Sequence, residues 1–143
     1  MITFQLVTLD GVKYADEAYE VLLPTPDGII AVFKDHMPLI SIASPGVISV
    51  RRKSNEPDDM MENYATNGGV IEVLNNEVRV LADEADHADE INAAEAEKAI
   101  ADARQLRAEA KDQLSLDTAQ NLIDRSQTRL RVAELKRRRK TRR

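Results

Sequence analysis

Arg125 and Arg129 stand four residues apart in a stretch that contains no glycine or proline. On a helix that spacing puts two guanidinium groups on one face, where they could clamp a phosphate. Ordinary solvated surface charge is the alternative. A second charged feature closes the chain: residues 136–143 read KRRRKTRR, seven positive charges in eight positions. It suits a polyanion or an acidic protein surface, or the negative end of a helix dipole. A third feature is a polar tip, Lys34, Asp35 and His36, set beside apolar Phe33, Met37 and Leu39. Apolar side chains ringed by polar ones suit a protein interface. In the alternative, Met37 and Leu39 belong to the core and His36 is a satisfied loop histidine.

Chemistry beyond recognition is not expected. With no cysteine, thiolate catalysis and thiolate metal sites are excluded. His36 and His87 are the only histidines, too few for a histidine-based metal site. There is no glycine-rich phosphate loop and no Ser/His/Asp grouping. The start MITFQLV lacks the basic region and long apolar run of a signal peptide. No apolar run approaches the ~18–20 residues of a membrane span. A cytoplasmic protein is expected, meeting a membrane only through partners.

The elements that must position these residues fall into two halves. All five Gly, five Pro, three Tyr and two Phe lie between Phe4 and Gly69. A turn-rich front half suits β-structure, and a back half without breakers suits helices. Charge divides differently: residues 1–135 hold 13 Lys/Arg against 25 Asp/Glu, a balance of −12 beneath the net −5.

In the front half, apolar runs predict strands over residues 2–7, 19–23, 29–33, 39–43, 47–51, 63–66, 70–74 and 77–81. Turn signals separate them: Asp10-Gly11, Pro24-Thr25-Pro26, Asp27-Gly28, Pro45-Gly46 and Gly68-Gly69. Asn75-Asn76 suits a two-residue hairpin, because Asn tolerates positive φ. Turns every ~8–12 residues favour an antiparallel sandwich or barrel of eight to ten strands over βαβ units.

In the back half a helix is expected from an N-cap at Asp89 to about Gln113. Its apolar stripe is Ala96, Ala99, Ile100, Ala103, Leu106, Ala110 and Leu114. A second helix is expected from about Asp117, with Asp117 and Gln120 at capping-box spacing. Its stripe is Ala119, Leu122, Ile123, Ser126, Leu130 and Ala133. A short polar connection makes the pair an antiparallel hairpin. Alanine buries little area, so the hairpin is strong in helix propensity and weak in hydrophobic anchoring. Weak docking and close fixed packing are both compatible with that composition.

Several segments, in order, carry a resemblance. Glu20-Val21-Leu22-Leu23-Pro24 followed by Asp27-Gly28 matches E-V-x-x-P … x-G. Asp35-His36-Met37-Pro38-Leu39 is similar to G-H-A-P-L, with Asp35 for Gly and Met37 for Ala. Pro45-Gly46-Val47 follows at the same spacing. Gly68-Gly69-Val70-Ile71-Glu72-Val73 matches G-G-x-x-E-V, Val80-Leu81-Ala82-Asp83 matches V-L-A-D/E, and Leu130-Arg131-Val132-Ala133-Glu134-Leu135 matches L-R-V-x-E-L. In this joint order and spacing the chain resembles the epsilon subunit of bacterial rotary ATP synthases.

The resemblance implies a non-catalytic rotor component. It implies a β-sandwich of about ten strands (residues 1–85) and a regulatory helical hairpin with a basic tail (residues 86–143). The partners it implies are the gamma subunit, the ring of c subunits and the alpha/beta head, at the cytoplasmic face of the bacterial plasma membrane. The c-ring and gamma contact falls on Phe33, Lys34, Asp35, His36, Met37 and Leu39. An extended hairpin that impedes ATP hydrolysis would press Arg131, Lys136, Arg137, Arg138, Arg139 and Lys140 on the head.

Some family members bind ATP through a motif resembling I/L-D-x-x-R-A. Here the window is Ile91-Asn92-Ala93-Ala94-Glu95-Ala96. Asn92 replaces the acid, and Glu95 puts a negative charge where the motif has arginine. Asp86, Arg125 and Arg129 keep the rest of that pattern. No resident cofactor is expected, and regulatory ATP is disfavoured. The rival expectation is a free-standing β-sandwich module whose basic tail holds RNA or another polyanion. With no aromatic after Tyr64 to stack bases, nucleic acid is the weaker partner class.

Overall fold

Strict alternation builds the first sheet. β1 (Ile2–Thr8) buries Ile2, Phe4 and Leu6, and the later strand over Glu77–Ala82 buries Val78, Val80 and Ala82. In the computed structural model, which describes residues 1–141, these two strands lie side by side in parallel register from Thr3↔Glu77 to Val7↔Leu81. The remaining strands are β2 (Gly11–Ala18), β3 (Glu20–Thr25), β4 (Gly28–Val32), β5 (Leu39–Ala43), β6 (Gly46–Arg51), β7 (Glu62–Thr66) and β8 (Gly69–Leu74), then β9 (Glu77–Ala82) and β10 (Ala85–His87). They form two five-stranded sheets, β2-β1-β9-β8-β5 and β10-β7-β6-β3-β4. Phe4, Leu6, Val21, Leu23, Ile48, Val50, Ile71 and Val80 fill the space between them.

The sandwich agrees with the sequence expectation, and the parallel β1–β9 pair is a departure from all-antiparallel pairing. Two strands went unpredicted. β2 reads GVKYADEA and buries only Tyr14 and Ala18, so as an edge strand it carries too little apolar alternation to signal itself. β10 is three residues long. Pro24 does not stop β3: it pairs with Ile29 of β4 just past the last β3–β6 partner, Leu22↔Ser49. There its missing N–H costs no ladder bond. Asn75 and Asn76 take φ 50° and 63°, the left-handed pair expected of the β8–β9 turn.

The helices are α1 (Ala93–Glu109) and α2 (Gln113–Thr141). The N-cap of α1 is Asn92, not Asp89: its side chain accepts from the N–H groups of Ala94 and Glu95 at 3.0 and 3.3 Å. Asp89 sits one step earlier, in a short 3₁₀ turn capped by His87. α2 starts earlier than expected because Asp112 accepts from the Ser115 N–H at 2.7 Å. The Asp117–Gln120 box does not form; those side chains bond Gln113 and Asp124. The packed seam is Ala96, Ile100 and Ala103 against Ala119, Ile123 and Ser126, while Leu106 and Leu114 are exposed. Val132, absent from the expected stripe, is fully buried.

α2 lies against the outer face of the second sheet at β7 and β6, and α1 packs chiefly on α2. The seat is a small apolar cluster of Ala65, Ala88, Ile91 and Val132, with Val47 and Ala133 at its edge.

Gly69 makes the tightest backbone approach of the five glycines. At φ 154° a Cβ here would overlap the Leu81 carbonyl oxygen and lie 2.8 Å from the Ala82 Cα. Gly69→Ala is expected to lower unfolding free energy by ~2–4 kcal/mol, read as a reduced urea midpoint with unchanged slope.

Candidate functional site

Three surfaces stand out, each built by a different pair of elements. The first is the β4–β5 loop. Asp35 takes φ 64°. Its N–H donates to Asn76 Oδ1 at 2.6 Å, and Asn76 Nδ2 returns a bond to Asp35 Oδ1 at 3.3 Å. The loop is thus fastened to the β8–β9 turn at one end of the sandwich. His36 Nδ1 lies 2.7 Å from the Met37 carbonyl oxygen. Met37 is 73% exposed, and Phe33 is exposed but stacked edge-on against Tyr19 at 5.7 Å. Leu39 is half-buried and packs on the core, and Lys34 is exposed. The structure therefore gathers Phe33, Lys34, Asp35, His36 and Met37 on one polar-rimmed apolar tip, with Leu39 at its root.

Sequence reasoning missed the second surface. On the outer face of the first sheet, Ile42 partners Val70, Val70 partners Leu81, Leu81 partners Val7, and Val7 partners Val12. This apolar row crosses all five strands. Ile42, Val70, Leu81 and Val12 are between 47% and 65% exposed, and Leu9 stands beside them at 87%. A continuous exposed row of this kind marks an interaction surface, where scattered apolar residues would not. The adjoining row is polar over β8, β9 and β1, with Arg79 bonding Gln5 and lying 3.8 Å from Glu72, and ends on β5 at exposed Ile40. The outward residues of β1, β8 and β9 were readable from alternation, and that of β2 was not. The row was not, because it exists only once β1 has been placed next to β9.

The third surface is the junction between α2 and the sandwich. Arg129 does meet Asp86, at 2.8 Å, and Arg125 meets Glu84 at 2.7 Å. Further along, Lys136 Nζ lies 2.7 Å from Asp89. The guanidinium pair that could clamp a phosphate is thus already paired with carboxylates. The cleft beside it, lined by Thr66, Asn67, Glu84, Asp86, Arg125 and Arg129, has a cavity volume of only about 10 Å³. That is below the ~300 Å³ of small ligand pockets. Glu95 and Asn92 lie elsewhere, at the start of α1.

Of the basic residues near the end of α2, Arg131, Arg137, Arg138 and Lys140 are exposed and Arg139 is half-buried. Arg137 and Arg138 border a broad cleft facing Asp58, Asp59 and Met61. Arg142 and Arg143 lie outside the described residues. Among the described residues no His, Cys, Asp or Glu group is placed to hold a metal, and no helix is long and apolar enough to cross a membrane.

Known proteins share this architecture. The family described as ATP synthase, Delta/Epsilon chain, beta-sandwich domain matches residues 1–88. The chain belongs to that family. The ATP synthase epsilon chain of Herpetosiphon aurantiacus is 34% identical over 139 residues, covering 96% of this chain and 98% of the relative. That of Lactobacillus johnsonii is 36% identical over 112 residues, covering 78% and 76%. In the solved Euglena gracilis mitochondrial ATP synthase (OSCP/F1/c-ring), one chain superposes with a TM-score of 0.78 at 20% identity, covering 92% of this chain and 80% of its own length. A chain of the Tetrahymena thermophila central stalk and c-ring gives 0.62 at 16% identity, covering 94% and 95%. These two likenesses show the fold.

Two outcomes follow from the geometry. Asn76→Ala removes both side-chain bonds to Asp35, so the Asp35 amide is expected to exchange faster by about tenfold while the global unfolding free energy falls by ~1 kcal/mol or less. The hydrogen bond from Lys136 holds the Asp89 carboxyl below its ordinary 3.8. A depressed folded-state value stabilises above the ordinary value and is lost as pH falls through the lowered one. The end of α2 should therefore loosen in acid, below that ordinary value, and Asp89→Asn should show the looseness already at neutral pH. Amide exchange of residues 136–140 reads both.

Proposed function

We propose that this chain is the epsilon subunit of a bacterial proton-transporting ATP synthase, a non-catalytic component of the central stalk. The observation that carries the reading is the Herpetosiphon aurantiacus alignment, which runs through the sandwich and the hairpin alike. The sandwich is the anchored part. Its apolar row through Ile42, Val70, Leu81, Val7 and Val12 takes the gamma subunit, and an exposed apolar row beside polar residues suits a lasting subunit interface. The fastened tip at Phe33, Lys34, Asp35, His36 and Met37 meets the c-subunit ring. Rotation of the ring passes through this body to the catalytic head.

The hairpin is the regulatory part. Docked, it lies on the second sheet; extended, it reaches the alpha/beta head and impedes ATP hydrolysis. Arg131, Lys136, Arg137, Arg138, Arg139 and Lys140 then press on acidic groups there. The subunit sits peripherally at the cytoplasmic face of the plasma membrane, held through its partners.

The tagged chain is expected to co-purify at moderate salt with alpha, beta and gamma chains. Recovery of nucleic acid that is lost steeply as salt rises would instead establish the polyanion-binding module. Ile42→Asp with Leu81→Asp should abolish recovery of gamma, with the circular dichroism of the free chain unchanged. Deleting residues 136–143 should raise the ATPase rate of the assembled complex and leave assembly intact. An unchanged rate removes the tail from the inhibitory mechanism.

A further inference from the structure

The docked hairpin is fastened by charge arranged in register. Arg125, Arg129, Val132 and Lys136 fall within about 60° of one another around α2, at 3.6 residues per turn. Their partners run in the same order along the chain that leaves β9: Glu84, Asp86, then Asp89. The spacings match. Two residues of extended chain, Glu84 to Asp86, rise about 6.7 Å, and four residues of helix, Arg125 to Arg129, rise about 6 Å. Val132 sits between the second and third pairs and is the fully buried residue of the apolar seat.

That seat is small. Ala65, Ala88 and Ala133 bring one methyl each, so Ile91, Val47 and Val132 provide most of its apolar area. None of the three ion pairs is fully buried: Arg129 and Asp86 keep 29% and 27% of their side-chain surface, and Asp89 keeps 68%. Pairs at this depth respond to dissolved salt, whereas a dry apolar seat hardly does. A nucleotide adds nothing to the fastening, since both arginines of the phosphate-clamp spacing already hold carboxylates.

We propose that the ladder Arg125–Glu84, Arg129–Asp86 and Lys136–Asp89 is an electrostatic latch, which sets the docked population of the hairpin according to ionic strength and without a bound nucleotide. Rising salt opens it, freeing a basic face on α2 and an acidic strip on the sandwich together. As a control on the brake the latch rests on the stalk reading above. As a property of the hairpin it belongs to the free chain, so its failure and the failure of that reading are separable.

The test uses the full chain alone. With no native cysteine, Ser54→Cys and Thr118→Cys give two exposed, specific dye positions, one on the sandwich and one on the hairpin. Energy transfer is followed from 0.05 to 1 M NaCl. The docked-to-open ratio should fall steadily with salt. Asp86→Arg should lower it at 0.05 M, and the charge exchange Asp86→Arg with Arg129→Asp should restore it. Neutralising one pair should change the ratio by about two- to fivefold, and Arg79→Gln, on the other sheet, should not change it. ATP added at fixed ionic strength should leave transfer unaltered. Transfer independent of salt, or no rescue by the charge exchange, would overturn the latch. An ATP-driven shift at fixed ionic strength would overturn its independence of nucleotide.

Discussion

The parallel pairing of β1 with β9 is the constraint on which the rest of the molecule depends. The first strand of the chain is held by the last long one, with Phe4 and Leu6 facing the core beside Val78 and Val80. A parallel pair cannot be made by a hairpin, so the first sheet is complete only when some eighty residues have been laid down. Two consequences follow from that closure. Val7 is inserted between Val12 and Leu81, which turns isolated outward-facing residues into one apolar row. The chain also leaves β9 at a fixed place, so Ala82 and Ala85 can be buried while Glu84 and Asp86 stay accessible on the side that α2 approaches.

The sandwich and the hairpin are held by different physics. Between the sheets, large aliphatic side chains are wholly buried, and Phe4, Tyr14 and Tyr64 form a line of tilted and edge-on ring contacts at 5.3 and 6.2 Å. Hydrophobic burial of that extent is insensitive to modest changes in salt. Inside the hairpin, alanine and isoleucine set the seam, and helix propensity maintains each helix. Between hairpin and sandwich the apolar seat is narrow and charge provides the register. A region with few buried apolar contacts is the one that opens at low free energy. The least stable boundary in the chain therefore coincides with the boundary between the two proposed roles.

What could be read from the sequence follows from how local each signal is. Strong alternation in β1, β8 and β9, and the Asn75-Asn76 turn, are local, and the structure has them at those positions. β2 was not readable, because an edge strand with exposed Asp16 and Glu17 has only Tyr14 and Ala18 to bury. Helix existence was legible from the absence of breakers. Helix starts were not, because Asn92 and Asp112 capped in place of better-spaced candidates. At the site, the Phe33–Leu39 tip was visible as a loop, while the Asn76 tie that shapes it spans 41 residues. The Arg125 and Arg129 pair was visible as a helix face. Its partner acids were visible only as surface charge, since pairing depends on where the sandwich ends.

The two helices of the hairpin need not be equivalent in any movement. α1 packs chiefly on α2, and α2 alone carries the apolar seat residues and the three cations. α2 is also the longer, 29 residues against 17, so at about 1.5 Å per residue it projects roughly 18 Å beyond its partner. That projecting end holds Lys136 through Lys140, and it is fastened to the sandwich through Asp89. In the proposed latch, opening one ladder would therefore release the seat, the seam's support and the basic end in a single step. A hairpin fastened through α1 instead could swing while its basic end stayed near the sandwich. With the fastening on α2, the cations paired with the sandwich are continuous with those that would engage an acidic surface elsewhere, so in the proposed mechanism the two engagements would compete directly.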